Sequence, residues 1–403
     1  MDTATEQGSS PHLMRVATEE SEGRFARFEL ISWWDQQRLT RAKVLVIGAG
    51  ALGNEILKNL ALLGVGRVFL ADLDVVSNSN LSRSVLFRAE DCGRRKVDVA
   101  AERAGRIYPE MMIRPFHGNV VYDLGLGVFR WADVILGGLD NREARVAINR
   151  AAARTGRIWI DGAIERLDGV ARVFDPATGP CYECTMSETD WKMLEARRSC
   201  ALLSRDEMEQ GKVPTTPTTA SVIAGIQCQE AVKLLHGLEV LSGQGFVFDG
   251  THHQSYVVSY SQDEDCPSHE PFEPIMPLGW RVGETQIGKL LERVRGELGP
   301  DAVVETNQDL LQSLDCVKCG ETEPVFASLG KVTESQGRCP RCGAHRTPNL
   351  YHTIDGRDPS LLDRALGSIG VPAWDIVAGR NGPAQHFYEF DGDRVELLGP
   401  LDN

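Results

Sequence analysis

From Lys43 onward the apolar positions alternate between two periods. Val44–Ile47 is an unbroken apolar run, a glycine turn follows, the residues from Ala51 to Leu63 repeat at helical spacing, and Val68–Ala71 is apolar again. That order predicts a buried strand, a tight turn, a helix and a second buried strand. It continues with a helix over about Asp91 to Ile107, a strand in Trp131–Asp140, a helix from Asn141 to Arg154 and a strand in Arg157–Ala163. Apolar strands separated by amphipathic helices imply an α/β fold, a Rossmann-like doubly wound parallel sheet covered on both faces. The stretch from about 185 to 217 breaks the rhythm. It is charged, ends in the Pro- and Thr-rich run 212–219, and reads as a long crossover loop of the kind that tends to be functional. A strong helix comes next, with Thr218 or Thr219 placed to cap it and Gly237 to end it. Strand-like segments at 246–250 and 255–261 close the first domain near residue 270.

Residues 1–20 carry no apolar period and read as a mobile tail; 21–270 form the main domain. After it, 271–403 hold a Pro-rich linker, a short helix around Ile287 to Glu297, a cysteine-bearing insert and a mixed tail, expected as a smaller α+β domain. The chain of 403 residues is 42% hydrophobic, enough for two cores. No apolar run approaches the roughly 18 residues of a membrane helix, and the start lacks an export pattern, so a soluble, cytoplasmic protein with no membrane contact is expected. A formal charge of -14 argues against general affinity for nucleic acid.

Gly48, Gly50 and Gly53 form G-x-G-x-x-G between strand and helix, a cradle for phosphate at a helix N-terminus. With Asp72 at the end of the second strand, this alone fits a dehydrogenase equally well. Residues further along the chain decide between them: Asp74, Asn80, Arg83, Lys96 and the Asp140-Asn141 pair, each near a strand end or the next helix. Cations beside a carboxylate suit a triphosphate with its magnesium, and a nicotinamide has little use for them.

On these separated motifs, residues 21–270 resemble the ThiF, MoeB and ubiquitin-activating superfamily. The resemblance implies that the main domain is an adenylation domain using ATP and Mg2+. Asp72 would bind the ribose, Asn80, Arg83 and Lys96 the phosphates, and Asp140 would orient magnesium. Ala51 stands where relatives often have glycine. The run Arg24–Phe28 resembles a family motif whose second arginine, here Arg27, reaches the nucleotide of a partner subunit, implying a homodimer.

Six of the ten cysteines fall in three C-x-x-C pairs, which in a chain of this kind point to metal rather than disulfides. Cys316, Cys319, Cys339 and Cys342 carry the spacing of a zinc ribbon over 316–342. Cys181 and Cys184 need two further ligands, and Cys266 and His269 offer them. Relatives close the domain with two cysteine pairs at these places, so His269 is a departure that keeps a Cys3His zinc site. Two structural Zn2+ sites are expected. Of the rest, Cys228 reads as core and Cys92 as incidental, while Cys200 follows Arg197 and Arg198, whose charge favours thiolate. Thioester-forming relatives carry their cysteine in this crossover, so the resemblance implies that Cys200 attacks the adenylate of a ubiquitin-like protein and passes it to a conjugating enzyme. A bacterial antiphage conjugation system is one setting for such a chain. A sulfur-carrier adenylyltransferase and a non-catalytic binding module centred on the ribbon are the alternatives.

Overall fold

A computed structural model describes residues 23–199, 214–333 and 335–402. The first lobe is built on β1 (Lys43–Ile47), β2 (Arg67–Asp72), β3 (Met112–His117), β4 (Val134–Gly138), β5 (Trp159–Glu165), β6 (Asp168–Phe174), β7 (Gln244–Asp249) and β8 (Gln254–Ser259). They form one sheet in the order β3-β2-β1-β4-β5-β6-β7-β8. The strands from β3 across to β5 are parallel and the last three antiparallel. Successive residues of a strand face opposite sides of the sheet, and both sides are apolar in β1. Val44 and Val46 meet Leu52, Ile56, Val97 and Ile223 on one face, from the helices α2 (Ala51–Leu63), α3 (Lys96–Ile107) and α7 (Pro217–His236). Leu45 and Ile47 meet Phe129 and Ile148 on the other, from α4 (Leu126–Trp131) and α5 (Arg142–Thr155). α1 (Gln36–Arg41) precedes β1. From β1 the chain runs outward to β3, then returns to β4 on the opposite side of β1. The carboxyl ends of β1 and β4 therefore border the crevice where doubly wound sheets bind ligands.

Part of the expected crossover loop is helical. α6 spans Glu188–Ser199, and Ser187 opens it: its backbone N–H and hydroxyl both donate to Asp190 Oδ2, at 3.0 and 2.8 Å. Ser187-x-x-Asp190 is a capping signal, and good helix formers follow it. The cap of α7 is Thr216, not Thr218 or Thr219, because Pro217 takes the first helical position, where a missing N–H costs nothing. Gly237 ends that helix in the left-handed conformation.

The second lobe holds β9 (Ile275–Pro277), β10 (Val303–Asp315), β11 (Thr322–Ser328), β12 (Thr347–Ile354), β13 (Ile376–Asn381) and β14 (Ala384–Glu389), in the order β11-β10-β13-β14-β9 with β12 also on β10. Helix α8 (Ile287–Leu298) packs Leu290, Leu291 and Val294 against this sheet, and the short α9 (Pro359–Leu362) and α10 (Arg394–Leu398) complete it. The lobe is docked, not tethered. Trp374, Ile376, Phe387 and Leu398 share one buried cluster with Leu126, Phe129 and Trp131. Polar ties flank that cluster: Leu126 N donates to Asp375 Oδ1 at 3.0 Å, Arg114 Nε to Leu397 O at 3.0 Å, and Arg130 pairs with Glu389.

Candidate nucleotide site and metal centres

The glycine turn at the end of β1 has the shape its sequence demands. Gly48 has φ +97°, and a Cβ there would stand 2.3 Å from Gly138 O at the end of β4. A Cβ at Gly53 would meet Gly48 O at 1.8 Å, so α2 lies flush against the turn. At Gly50, the N-cap of α2, a Cβ would meet nothing within 4 Å, so the turn is open on that side, beside a helix first turn whose N–H groups have no helical partners and suit an anion. Ala51 opens the helix without disturbing this arrangement.

Asp72, at the end of β2, accepts from Ala49 N and Asp74 N, both at 2.7 Å. Burial raises its pKa above the usual aspartate range, against the pull of Lys96 and of those two donors. Lys96, at the start of α3, is buried, and its Nζ lies 2.7 Å from Asp74 Oδ2. Asn80 is buried in a capping turn, where its Oδ1 accepts from Ser77 N at 2.9 Å, and Arg83 donates to Ser79 O at 2.7 Å. Asp140 is exposed after β4; Asn141 donates to its Oδ1 at 3.2 Å and caps α5 by accepting from Ala144 N at 2.8 Å. The fold thus gathers the glycine turn, Asp72, Asp74 and Lys96 at the ends of β1 and β2, with Asp140 and Asn141 on the adjoining end of β4. Arg27 lies apart, exposed on the turn before Phe28–Leu30, its side chain without a hydrogen bond or ion pair among the described residues. Cys200 lies outside the described residues.

Five polar residues that no sequence motif marks, all buried or nearly so, hold this site together. Asn54 on α2 donates to Ala49 O and Gly50 O at 2.7 and 3.0 Å and accepts from Leu86 N at 2.9 Å, joining the glycine turn to the segment of Arg83. Arg145 on α5 reaches Leu139 O at 2.8 Å and Asp161 Oδ1 at 3.0 Å, which fixes the approach to Asp140. Burial of Asp161 opposes its ionisation, yet Arg145 and Arg172 beside it hold its pKa below the ordinary value. Gln227 on α7 donates to Gly137 O at 2.8 Å and Ile160 O at 3.1 Å.

The family profile of ThiF matches residues 23–268, more than half of the chain. The chain belongs to the ThiF family. It is 32% identical to the sulfur carrier protein adenylyltransferase of Thermus thermophilus, over 58% of this chain and 83% of that protein. It is equally 32% identical to the SAMP-activating enzyme E1 of Haloferax volcanii, over 58% and 82%. To the catalytic subunit of the NEDD8-activating enzyme E1 of Schizosaccharomyces pombe it is 39% identical, over 36% of this chain and 34% of that one. Its fold is similar to that of E. coli MccB with ATP, at a TM-score of 0.52 and 20% identity over 62% of this chain and 75% of MccB. The ThiF-family chain is an enzyme of the ATP-dependent adenylyltransferase class. The second lobe, from β9 onward, lies beyond the family match.

The ThiF domain closes on a four-ligand cluster. Cys181 Sγ lies 3.7 Å from Cys184 Sγ and 3.6 Å from Cys266 Sγ, and Cys184 Sγ is 3.1 Å from His269 Nε2. In the second lobe, Cys316 and Cys342, and Cys319 and Cys339, are each 3.5 Å apart. Disulfides are excluded at these separations, whereas sulfurs bound tetrahedrally to zinc stand about 3.8 Å apart. Both donor sets fit zinc, and in each all four ligand atoms lie within 4.8 Å of one another. Cys228 is buried in the core, which pushes its thiol up to about 12, while Cys92 is exposed. Among the described residues no helix is long and apolar enough to cross a membrane.

Proposed function

We propose that this enzyme adenylates the C-terminal glycine carboxylate of a ubiquitin-like protein and then takes the acyl group onto Cys200. The observation that carries the first step is the open cradle at Gly50 beside Asp72, Lys96 and Asp140, which has the donors and the acid that a triphosphate needs. A carboxylate oxygen of the partner attacks the α-phosphorus, the bond to the β-phosphate oxygen breaks, and pyrophosphate leaves. Lys96 gives up Asp74 for phosphate oxygens, and Arg83 and Asn80 join it. Asp72 holds the ribose. Asp140 and Asn141 would hold magnesium, whose charge offsets that of the phosphates. Arg27 completes the site of a second copy in a homodimer. The Cys200 thiolate then attacks the acyl carbon and AMP departs, leaving a thioester for a conjugating enzyme. Both four-ligand clusters hold structural zinc. The setting is the cytoplasm, in a bacterial antiphage conjugation pathway.

Kinship with sulfur-carrier enzymes over four-fifths of their length supports a second reading, in which the adenylate passes to a sulfur donor and a thiocarboxylate forms. Incubation with ATP, magnesium and Gly-ended small proteins, followed by non-reducing gels and a pyrophosphate assay, separates the two. A reductant-sensitive adduct lost in Cys200→Ala, with pyrophosphate release kept, is expected. Pyrophosphate release with no adduct selects the sulfur-carrier reading, and neither signal overturns both.

A further inference from the structure

The first turn of α5 starts directly after Asp140 and Asn141, and two other parts of the molecule reach it. Arg142 Nη2 lies 2.9 Å from Asp190 Oδ1 on α6, the helix that ends at Ser199. From the opposite direction the Tyr122 hydroxyl donates to Glu143 Oε1 at 3.1 Å. Tyr122 belongs to the loop that leaves β3, where Gly118 N donates to the Asp72 carbonyl at 3.2 Å and Asn119 N to Asp123 Oδ2 at 2.8 Å. The loop therefore starts at the ribose-binding strand end and finishes at the helix behind the magnesium acid.

The second lobe grips the same tyrosine. Gln308 Nε2 on β10 donates to Tyr122 O at 3.2 Å and to Gly370 O at 3.1 Å. Gly330, in the turn Leu329–Lys331 between β11 and the second cysteine pair, lies so close that a Cβ there would stand 2.5 Å from Tyr122 Cδ2. Tyr122 is thus touched by both lobes at once.

We propose that Tyr122 is a positioning residue through which the second lobe fixes the start of α5, and with it Asp140 and the entry of the crossover helix. The inference rests on the nucleotide reading above. Helix first turns carry N–H groups without helical partners and open more readily than helix middles, so side-chain ties decide how well such a turn is held. Here Asn141 caps the turn, Arg142 ties it to α6 and Glu143 ties it to Tyr122. Loosening it would displace Asp140 without touching Lys96 or Asp72.

The test uses the full-length protein. Tyr122→Phe removes one hydroxyl and keeps the ring against Gly330, so its melting temperature should stay close to that of the wild type. Half-saturating magnesium and the equilibrium Kd for ATP in its presence should rise about three- to tenfold, with turnover at saturation within about twofold. Hydrogen exchange should quicken in 141–145 and in α6. Glu143→Ala should match it, the double variant should be no worse, and Glu143→Gln, which keeps an acceptor for the hydroxyl, should recover most of the loss. Gly330→Val, made in the other lobe, should reproduce the magnesium effect; if it does not fold, Tyr122→Phe and Glu143→Ala decide alone. Unchanged magnesium dependence and unchanged exchange in Tyr122→Phe overturn the proposal. A wild type that binds no nucleotide overturns the function proposed above as well, whereas normal wild-type binding with unaffected variants overturns only this inference.

Discussion

Cys181, Cys184, Cys266 and His269 draw together positions 85 apart in the chain, whereas Cys316, Cys319, Cys339 and Cys342 join positions 20 and 26 apart. In the loop-entropy picture of a cross-link, that difference in span is worth only about 1 kcal/mol. The surroundings differ far more. Between the first two cysteines, Glu183 is buried and accepts from Arg150 Nη2 at 2.8 Å, from Asn149 Nδ2 at 2.9 Å and from Ser268. Asn149 also donates to Cys181 Sγ at 3.4 Å and accepts from Tyr182 N at 2.8 Å. In the ribbon the ligand turns are made by backbone, Gly320 N donating to Cys316 O and Gly343 N to Cys339 O, both at 2.8 Å, one turn between β10 and β11 and the other ahead of β12. Beside them the buried Arg346 donates from Nε to Gln336 O at 2.9 Å and pairs with Glu323. Two four-ligand clusters that both suit zinc can therefore weigh very differently on a fold. The weight depends on how many buried groups lose their partners when the ligands let go.

The largest effect that sharpens this contrast is expected from Cys181→Ser. Loss of metal there should release β6 and the 266–269 segment together and lower the stability of the ThiF domain by on the order of 4 kcal/mol or more, read as a drop in melting temperature that added zinc no longer reverses. Tyr182→Ala should rank next at about 3–4 kcal/mol, since the ring is buried against Trp159 and Phe174. Glu183→Ala leaves every ligand in place but strands Arg150 and Asn149; a loss of about 3 kcal/mol in denaturant unfolding is expected. A loss under about 1 kcal/mol would show that the buried shell is incidental and that the two sites are equivalent after all. Cys316→Ser should raise hydrogen exchange over 315–347 and leave that of β1, β4 and β5 unchanged. Spread of exchange into those strands would break the contrast from the other side.

The legible parts of the molecule are those whose signal is local. The run from β1 to β2, the glycine turn and the cysteine spacings are periodic or fixed in short windows, and the structure has them where the sequence put them. Asn54, Arg145, Asp161, Arg172 and Gln227 gave no such sign. Each is an ordinary polar residue in sequence and acquires its role from a partner in another element, as when Asn54 meets Leu86 and Gln227 meets Gly137. The second sheet was hidden for a related reason. β10 is half polar along its length, carries irregular register against β11 and β12, and pairs with strands on both sides that come later in the chain. α6 is different: Ser187 and Asp190 announced it, and its charge and its place in an expected crossover masked the cap.

The smallest expected effect comes from the position that matches Tyr182 in the other site. Each residue directly follows the first ligand of its pair, Tyr182 after Cys181 and Val317 after Cys316. Tyr182 is 5% exposed and Val317 86%. If the ribbon stands clear of any core, a charge at its apex meets only water, and Val317→Asp should shift stability by less than about 0.5 kcal/mol. Cysteine ligation, followed by cobalt substitution and its absorbance, should likewise be unchanged, because the turn is held by the Gly320 N–H and not by the valine. A shift above about 1 kcal/mol would mean that the apex is covered in the folded protein. The ribbon would then have to be counted with the buried site instead of against it.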